Sequence, residues 1–242
     1  MKSVETVSTL KQNYILVPSH VREPYLYHLL CNPPESIIHL RRAPPDTKKQ
    51  QSKKPKSSKK PSTVHETEQL QPPPTIIFAA RAKTAAYLTN LLKELGIRST
   101  SLHSRLTQRE RLTSLGLFRA SVVPVLICTD VGARGLDIDD VAMVINWDMP
   151  SEPEEYTHRV GRTARRGREG IAVSFVTERD EDKVHKIEDR ISMSNLIFQK
   201  FLYVDAILMT GVKLQEMNLS EEKVLEKLNM VSTAKRVANM VR

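Results

Sequence analysis

Between residues 75 and 177 short apolar runs alternate with longer amphipathic ones. TIIFAA (75–80), VPVLICT (123–129), VAMVINWDMP (141–150) and GIAVSFVT (170–177) are apolar on both faces and rich in β-branched residues, which predicts buried strands. STSLHS (99–104) predicts a shorter one. RAKTAAYLTNLLKELG (81–96) places Ala85, Leu88, Leu91, Leu92 and Leu95 on one helical stripe, with Gly96 as a stop. TQRERLTSLGLFRA (107–120) is a second amphipathic helix, and Thr107 with Glu110 three residues on spells a capping box. A third helix is predicted from Ser151 to Arg162, with Ser151 as N-cap and Pro153 in the first turn. Strands buried on both faces and alternating with helices predict an α/β domain, a parallel β-sheet sandwiched by helices.

The flanks read differently. Tyr14 to Val17 predicts a strand and the residues after it a helix, so residues 1–31 start the same domain. Residues 32–72 are a Pro/Lys-rich insertion, whose part from about 41 on is expected to be disordered because it has too little apolar surface to offset its ordering entropy. The main body spans 73–190. Residues 191–242 are a helical C-terminal extension, with DEDKVHKIEDRISM (180–193) helical before it and an amphipathic helix from Ser220, expected against the domain or a partner and not in the sheet.

Charge changes the picture by its location. The chain carries a formal +9, but residues 41–62 alone hold nine Lys or Arg and one Asp, so the remainder is near neutral. Binding by the folded part must therefore come from local placement of charge. Cys31 and Cys128 lie far apart without CxxC spacing, which argues against a disulfide framework or a structural zinc, and Cys128 reads as a small buried strand residue. No run approaches the ~20 apolar residues of a membrane span. The N-terminal residues lack the features of a signal peptide, so an intracellular protein is expected.

Two stretches carry candidate chemistry. TDVGARGLDID (129–139) follows a strand, where ligands of open α/β sheets bind; its glycines can expose amide N–H groups to an anion and Asp130 and Asp137 can accept from hydroxyls or arginine. Alone it is equally an ordinary strand-to-helix turn. YTHRVGRTARRGREG (156–170) holds five arginines, and Arg159, Arg162, Arg165 and Arg166 recur at three- or four-residue spacing or adjacent to it, so several guanidinia can share one side. Their mutual repulsion calls for a multivalent anion, and a solvated basic helix end is the alternative.

Taken together, TDVGARGLDI at 129–138 and HRVGRTARRG at 158–167 resemble motifs V and VI of the DEAD-box RNA helicases, TIIF at 75–78 is similar to motif IV, and SLHSRLTQRER at 101–111 to the stretch with the QxxR motif. The resemblance covers roughly 10–31 and 73–190, and four matches in order make it specific. It implies a single RecA-like domain, the second of the two in such enzymes, with ATP between the domains and RNA across both. Residue by residue, Arg162 and Arg165 would be arginine fingers reaching the γ-phosphate, Gly135 and Asp137 would lie at the nucleotide with Asp137 on the ribose, Gln108, Arg111 and Thr129 would contact the RNA backbone, and Arg134 and His158 would join the two domains on closure. Ala80-Arg81 replaces the family's usual Asn-Thr in motif IV, and Gly132 stands where Ala is usual in motif V.

No glycine is followed by lysine, so there is no GxxxxGK[ST] phosphate loop, and no DEAD tetrapeptide occurs. The resemblance thus implies that Mg2+ and most of the ATP are held by a first domain supplied in cis or in trans, and that this chain alone hydrolyses little ATP. The LHS wording and the VSTAKRVANM tail resemble the nucleolar members acting on small-subunit ribosomal RNA, implying nucleus and nucleolus as location, and the lysine runs can serve as an import signal. Two other readings stand beside this one: a non-catalytic RNA-binding module driven by the basic insertion, and a regulator that docks on another helicase's first domain.

Overall fold

Alternating apolar residues turn the predicted strands into the centre of one sheet. The structure, a computed structural model, describes residues 9–41, 71–136, 138, 141–165, 167–190 and 214–240. The strands are β1 (Leu10–Leu16), β2 (Thr75–Phe78), β3 (Ser99–Leu102), β4 (Val125–Cys128), β5 (Met143–Asn146), β6 (Gly170–Val176) and β7 (Gln215–Glu216). They form a seven-stranded sheet in the order β3-β4-β2-β5-β6-β1-β7, and every pairing is parallel. β1 is far from β6 in sequence yet pairs with it from Leu10 opposite Gly170 to Leu16 opposite Val176, so the residues before the insertion are integral to the sheet.

Because side chains alternate across a strand, β2 sends Ile77 to one layer and Ile76 and Phe78 to the other. The first layer is covered by α1 (Arg22–Cys31), α3 (Ala82–Glu94) and the C-terminal helix described below, through Leu26, Leu30, Leu88 and Leu92. Leu115 and Phe118 of α4 (Gln108–Arg119) cover the second layer, and Tyr156 and Val160 of α6 (Pro153–Val160) with Ile187 from α7 (residues 181–190) cover its extension over β6. Helices on both faces of a parallel sheet are the RecA-like arrangement expected from the sequence. Among the described residues no helix is long and apolar enough to cross a membrane.

Several local expectations hold in detail. Gly96 ends α3 at φ +76°, and the Ile97 N–H donates back to the Leu92 carbonyl at 2.8 Å, a Schellman closure that a left-handed glycine permits. The Thr107 hydroxyl accepts from the Glu110 N–H at 3.3 Å, while the Thr107 N–H donates to the Glu110 carboxylate at 2.7 Å. The Thr107 N–H, with the Thr107 hydroxyl donating to the same carboxylate oxygen at 2.8 Å, holds the Glu110 carboxyl below its ordinary pKa. A carboxyl with a depressed folded-state pKa stabilises above its unfolded value and loses that contribution as pH falls through the folded one. Thr107→Ala is expected to cost about 1 kcal/mol, the usual worth of such a cap, and to weaken the acid dependence of stability below the ordinary carboxylate range; urea unfolding at neutral and acidic pH checks both. As expected, Cys128 is a buried strand residue, and burial pushes its thiol pKa up.

Three expectations are corrected. The N-cap of α6 is Glu152, not Ser151: Pro153 occupies the first helical turn, where its fixed φ is already helical and its missing N–H costs nothing. The C-terminal extension does enter the sheet, because Gln215 and Glu216 form β7 opposite Asn13 and Tyr14 of β1. Two exposed polar residues carry no periodicity from which a strand could be read. The helix from Ser220 is two helices, α8 (Glu221–Leu225) and α9 (Leu228–Met240), and α9 seats Val231, Ala234 and Ala238 in the layer that holds α3. Lys235 pairs with buried Glu23 at 2.9 Å, and Glu23 also accepts from the Tyr87 hydroxyl at 3.1 Å, which ties α9, α1 and α3 together. Within 32–72, α2 (Glu35–Ile38) buries Ile37 in the same layer, and Gln71 bonds to the backbone of Gly96 and Arg98. The disorder expected from about 41 to 72 falls almost wholly outside the described residues.

Candidate functional site

The carboxyl ends of β3, β4, β2 and β5 bring the loop 129–136, the start of α4 and the end of α6 together. Arg159 lies at their centre and is 2% exposed. Its Nε and Nη2 donate to the two Asp130 carboxylate oxygens, each at 2.7 Å, and its Nη1 donates to the Asp148 carbonyl at 2.7 Å and to Asn146 Oδ1 at 3.2 Å. The guanidinium carbon sits 5.1 Å from the centre of the Phe78 ring. A forked cation meeting a forked anion fixes both distance and orientation, so this pair pins α6 to the loop after β4. Asp148 extends the pin, accepting from the Ala80 N–H at 2.8 Å and from Arg22, whose guanidinium lies over Trp147.

Arg159 is therefore not one of the guanidinia facing an anion, as the arginine spacing suggested; it is turned inward and neutralised. Asp130, read as an acceptor for hydroxyls or for arginine, takes the arginine. The helix ends at Val160, so Arg162 and Arg165 lie on the turn beyond it. Arg162 is half-buried and its carbonyl accepts from the Val141 N–H; Arg165 is exposed and its Nε donates to the Gly161 carbonyl at 2.6 Å. Between them Ala164 takes φ +55° while 3% exposed, a left-handed conformation costly for a residue with a Cβ. Arg166 is outside the described residues.

On one side of the pin, Arg134 Nη2 meets Glu155 of α6 at 3.4 Å, one helical turn before exposed His158. Sequence had grouped Arg134 and His158 for a shared role, and the structure sets them on neighbouring exposed surface. Gly135 follows at φ +72°, exposed; Asp137, its expected companion at the nucleotide, lies outside the described residues.

On the other side, Arg111 and Thr129 converge on Gly132, and Gln108 joins them through Arg111. Arg111 donates from Nη1 to Gln108 Oε1 at 3.4 Å and from Nη2 to the Gly132 carbonyl at 3.2 Å, while its Nε is buried without a partner. Thr129 is 7% exposed, and its hydroxyl accepts from the Gly132 N–H at 3.2 Å to cap α5 (Asp130–Ala133). A Cβ on Gly132 would run into the Leu102 carbonyl oxygen, so the glycine in place of the usual alanine accompanies a close approach of α5 to β3. Thr129 also donates its N–H to that carbonyl at 3.2 Å.

Sequence reasoning missed Asp148 and the inward role of Arg159. An aspartate after an apolar strand was the only available signal for Asp148. Among the described residues no group of three His, Cys, Asp or Glu is placed to hold a metal ion, and Asp130 is paired with Arg159.

The helicase conserved C-terminal domain family matches residues 59–167. An ATP-dependent RNA helicase DBP8 from Mycosarcoma maydis is 49% identical over 251 residues, covering 98% of this chain and 44% of that protein, so the chain spans less than half the length of that relative. The E. coli DEAD-box protein SrmB, solved with the regulator RraA, matches with TM-score 0.59 and 25% identity over 90% of this chain and 95% of that one. S. cerevisiae Dbp5 L327V, solved with RNA and ADP BeF3, matches with TM-score 0.58 and 25% identity over 97% of this chain and 48% of that one. Motifs in order, sheet order and these likenesses agree: the chain belongs to the DEAD-box RNA helicases, as their C-terminal RecA-like helicase domain.

Proposed function

We propose that this chain is the half of an ATP-dependent RNA helicase that completes a nucleotide site and an RNA site when it closes on a phosphate-loop-bearing first domain, in cis or in trans, and that it serves ribosomal RNA processing in the nucleolus. The observation that carries this reading is the Arg159–Asp130 pin, which couples two surfaces of opposite use. Toward α6, Arg162 and Arg165 would meet the γ-phosphate, Gly135 and Asp137 the nucleoside, and Arg134 and His158 the other domain. Toward α4, Gln108, Arg111 and Thr129 would hold the RNA backbone without reading its sequence. Bound ATP would supply the phosphoryl group, and Mg2+ is assigned to the other domain, as the family resemblance implies. Assignment to ribosomal RNA follows the resemblance of the LHS wording and the VSTAKRVANM tail to the nucleolar members of the family.

Salt dependence separates this reading from a basic tail that merely sticks to RNA. Residues 42–62 hold eight Lys or Arg. Deleting them is expected to weaken binding of single-stranded RNA but to leave a measurable log-affinity against log-salt slope, about 0.7 per phosphate still contacted by the folded surface. Arg111→Ala in that shortened chain should reduce the remaining slope further. Complete loss of RNA binding on the deletion alone would favour the non-catalytic module.

A further inference from the structure

A second basic cavity lies at the opposite end of the sheet from the candidate site. It measures about 340 Å³ and is lined by His39, Arg41, Pro74, Ala164, Arg168 and Glu169 among others. Pro74 and Glu169 immediately precede β2 and β6, which places the cavity at the amino ends of the strands. Its volume is roughly ten times the ~30 Å³ share of one water molecule, enough for a phosphoryl group and its neighbours.

The lining is set up for an anion. Two backbone acceptors beside it are engaged: the Pro74 carbonyl accepts from Ala142 and Met143, and the Val141 carbonyl from the Thr163 hydroxyl. Glu169, the acidic lining group among the described residues, pairs with Lys11 at 3.7 Å. Arg41, by contrast, has a buried Nε without a hydrogen-bond partner among the described residues, and a buried charged donor left unmet is costly. Arg168 brings a second guanidinium to the same wall, and His39 an imidazole. Forked guanidinia suit oxygens arranged as on a phosphate.

We propose that this cavity is a second phosphate site, which takes a phosphate dianion either free or at the 5′ end of an RNA. The site is independent of the Arg162 and Arg165 surface, although both share the turn through Ala164. The test is amide NMR of the 242-residue chain titrated with inorganic phosphate at constant ionic strength, and then with a short RNA carrying a 5′-phosphate or a 5′-hydroxyl. The expected result is saturable shifts at Arg41, Ala142, Ala164 and Arg168, reduced at least tenfold in affinity by Arg41→Gln and less by Arg41→Lys. Stronger response to the 5′-phosphorylated RNA than to phosphate and to the 5′-hydroxyl RNA identifies an RNA end; response to phosphate alone identifies the free ion. Absence of saturable shifts at these amides with every probe, shifts confined to the turn around Arg162 and Arg165, or an unchanged response in both Arg41→Gln and Arg168→Gln would overturn the proposal.

Discussion

Replacing Asp130 by alanine is expected to destabilise the chain by about 3–5 kcal/mol, the cost of stranding one member of a buried ion pair. Arg159 is 2% exposed and the Asp130 side chain 21%, and among the described residues Asp130 supplies two of the four hydrogen bonds of Arg159 and its ion pair. A loss of that size is a large part of the 5–15 kcal/mol that holds a typical domain together. Arg159→Lys should also be costly, because an ammonium cannot serve both carboxylate oxygens and the Asp148 carbonyl in the same plane. The contrast is the Arg134–Glu155 pair, where Arg134 is 70% exposed. Its removal should change stability by less than about 1 kcal/mol, as for most surface pairs. Urea unfolding of the variants decides the matter: a cost below about 1 kcal/mol for Asp130→Ala would mean that Arg159 is not held as described.

Arg162→Ala is expected to do the reverse. In a two-domain enzyme containing this chain, ATP turnover should fall by about 10³–10⁵, the range for removal of an arginine finger, while RNA affinity and the urea midpoint stay nearly unchanged. Arg162 is half-buried on a turn past the helix end, so its removal leaves the Arg159 pin in place. Unchanged turnover would remove the finger assignment. A fall in stability as large as in Asp130→Ala would make Arg162 a structural residue.

The two results together separate what the two arginines do, a separation that the family resemblance implied and that the arginine spacing alone did not carry. Arg159 and Arg162 differ by three positions and look alike in a helical projection. Which of them turns inward depends on Asp130 and Asn146 arriving from two other strands, and no local pattern encodes such meetings. The strands were legible because β2, β4, β5 and β6 are buried on both faces and so read as unbroken apolar runs. The capping box on α4 was legible because both partners lie within four residues. β7 was not, since two exposed polar residues at a sheet edge owe their pairing to the chain around them. The clustering of Gln108, Arg111 and Thr129 was visible only through the family resemblance; hydrogen bonds to Gly132 supply its physical basis.

The most direct measurement of the central claim is RNA-stimulated ATP turnover, first by this chain alone and then with a phosphate-loop-bearing first domain of a close relative added or fused. Silence alone and turnover on combination, abolished by Arg162→Ala, is the predicted result. Turnover by the chain alone, or silence in a combination that demonstrably binds both ATP and RNA, would contradict it.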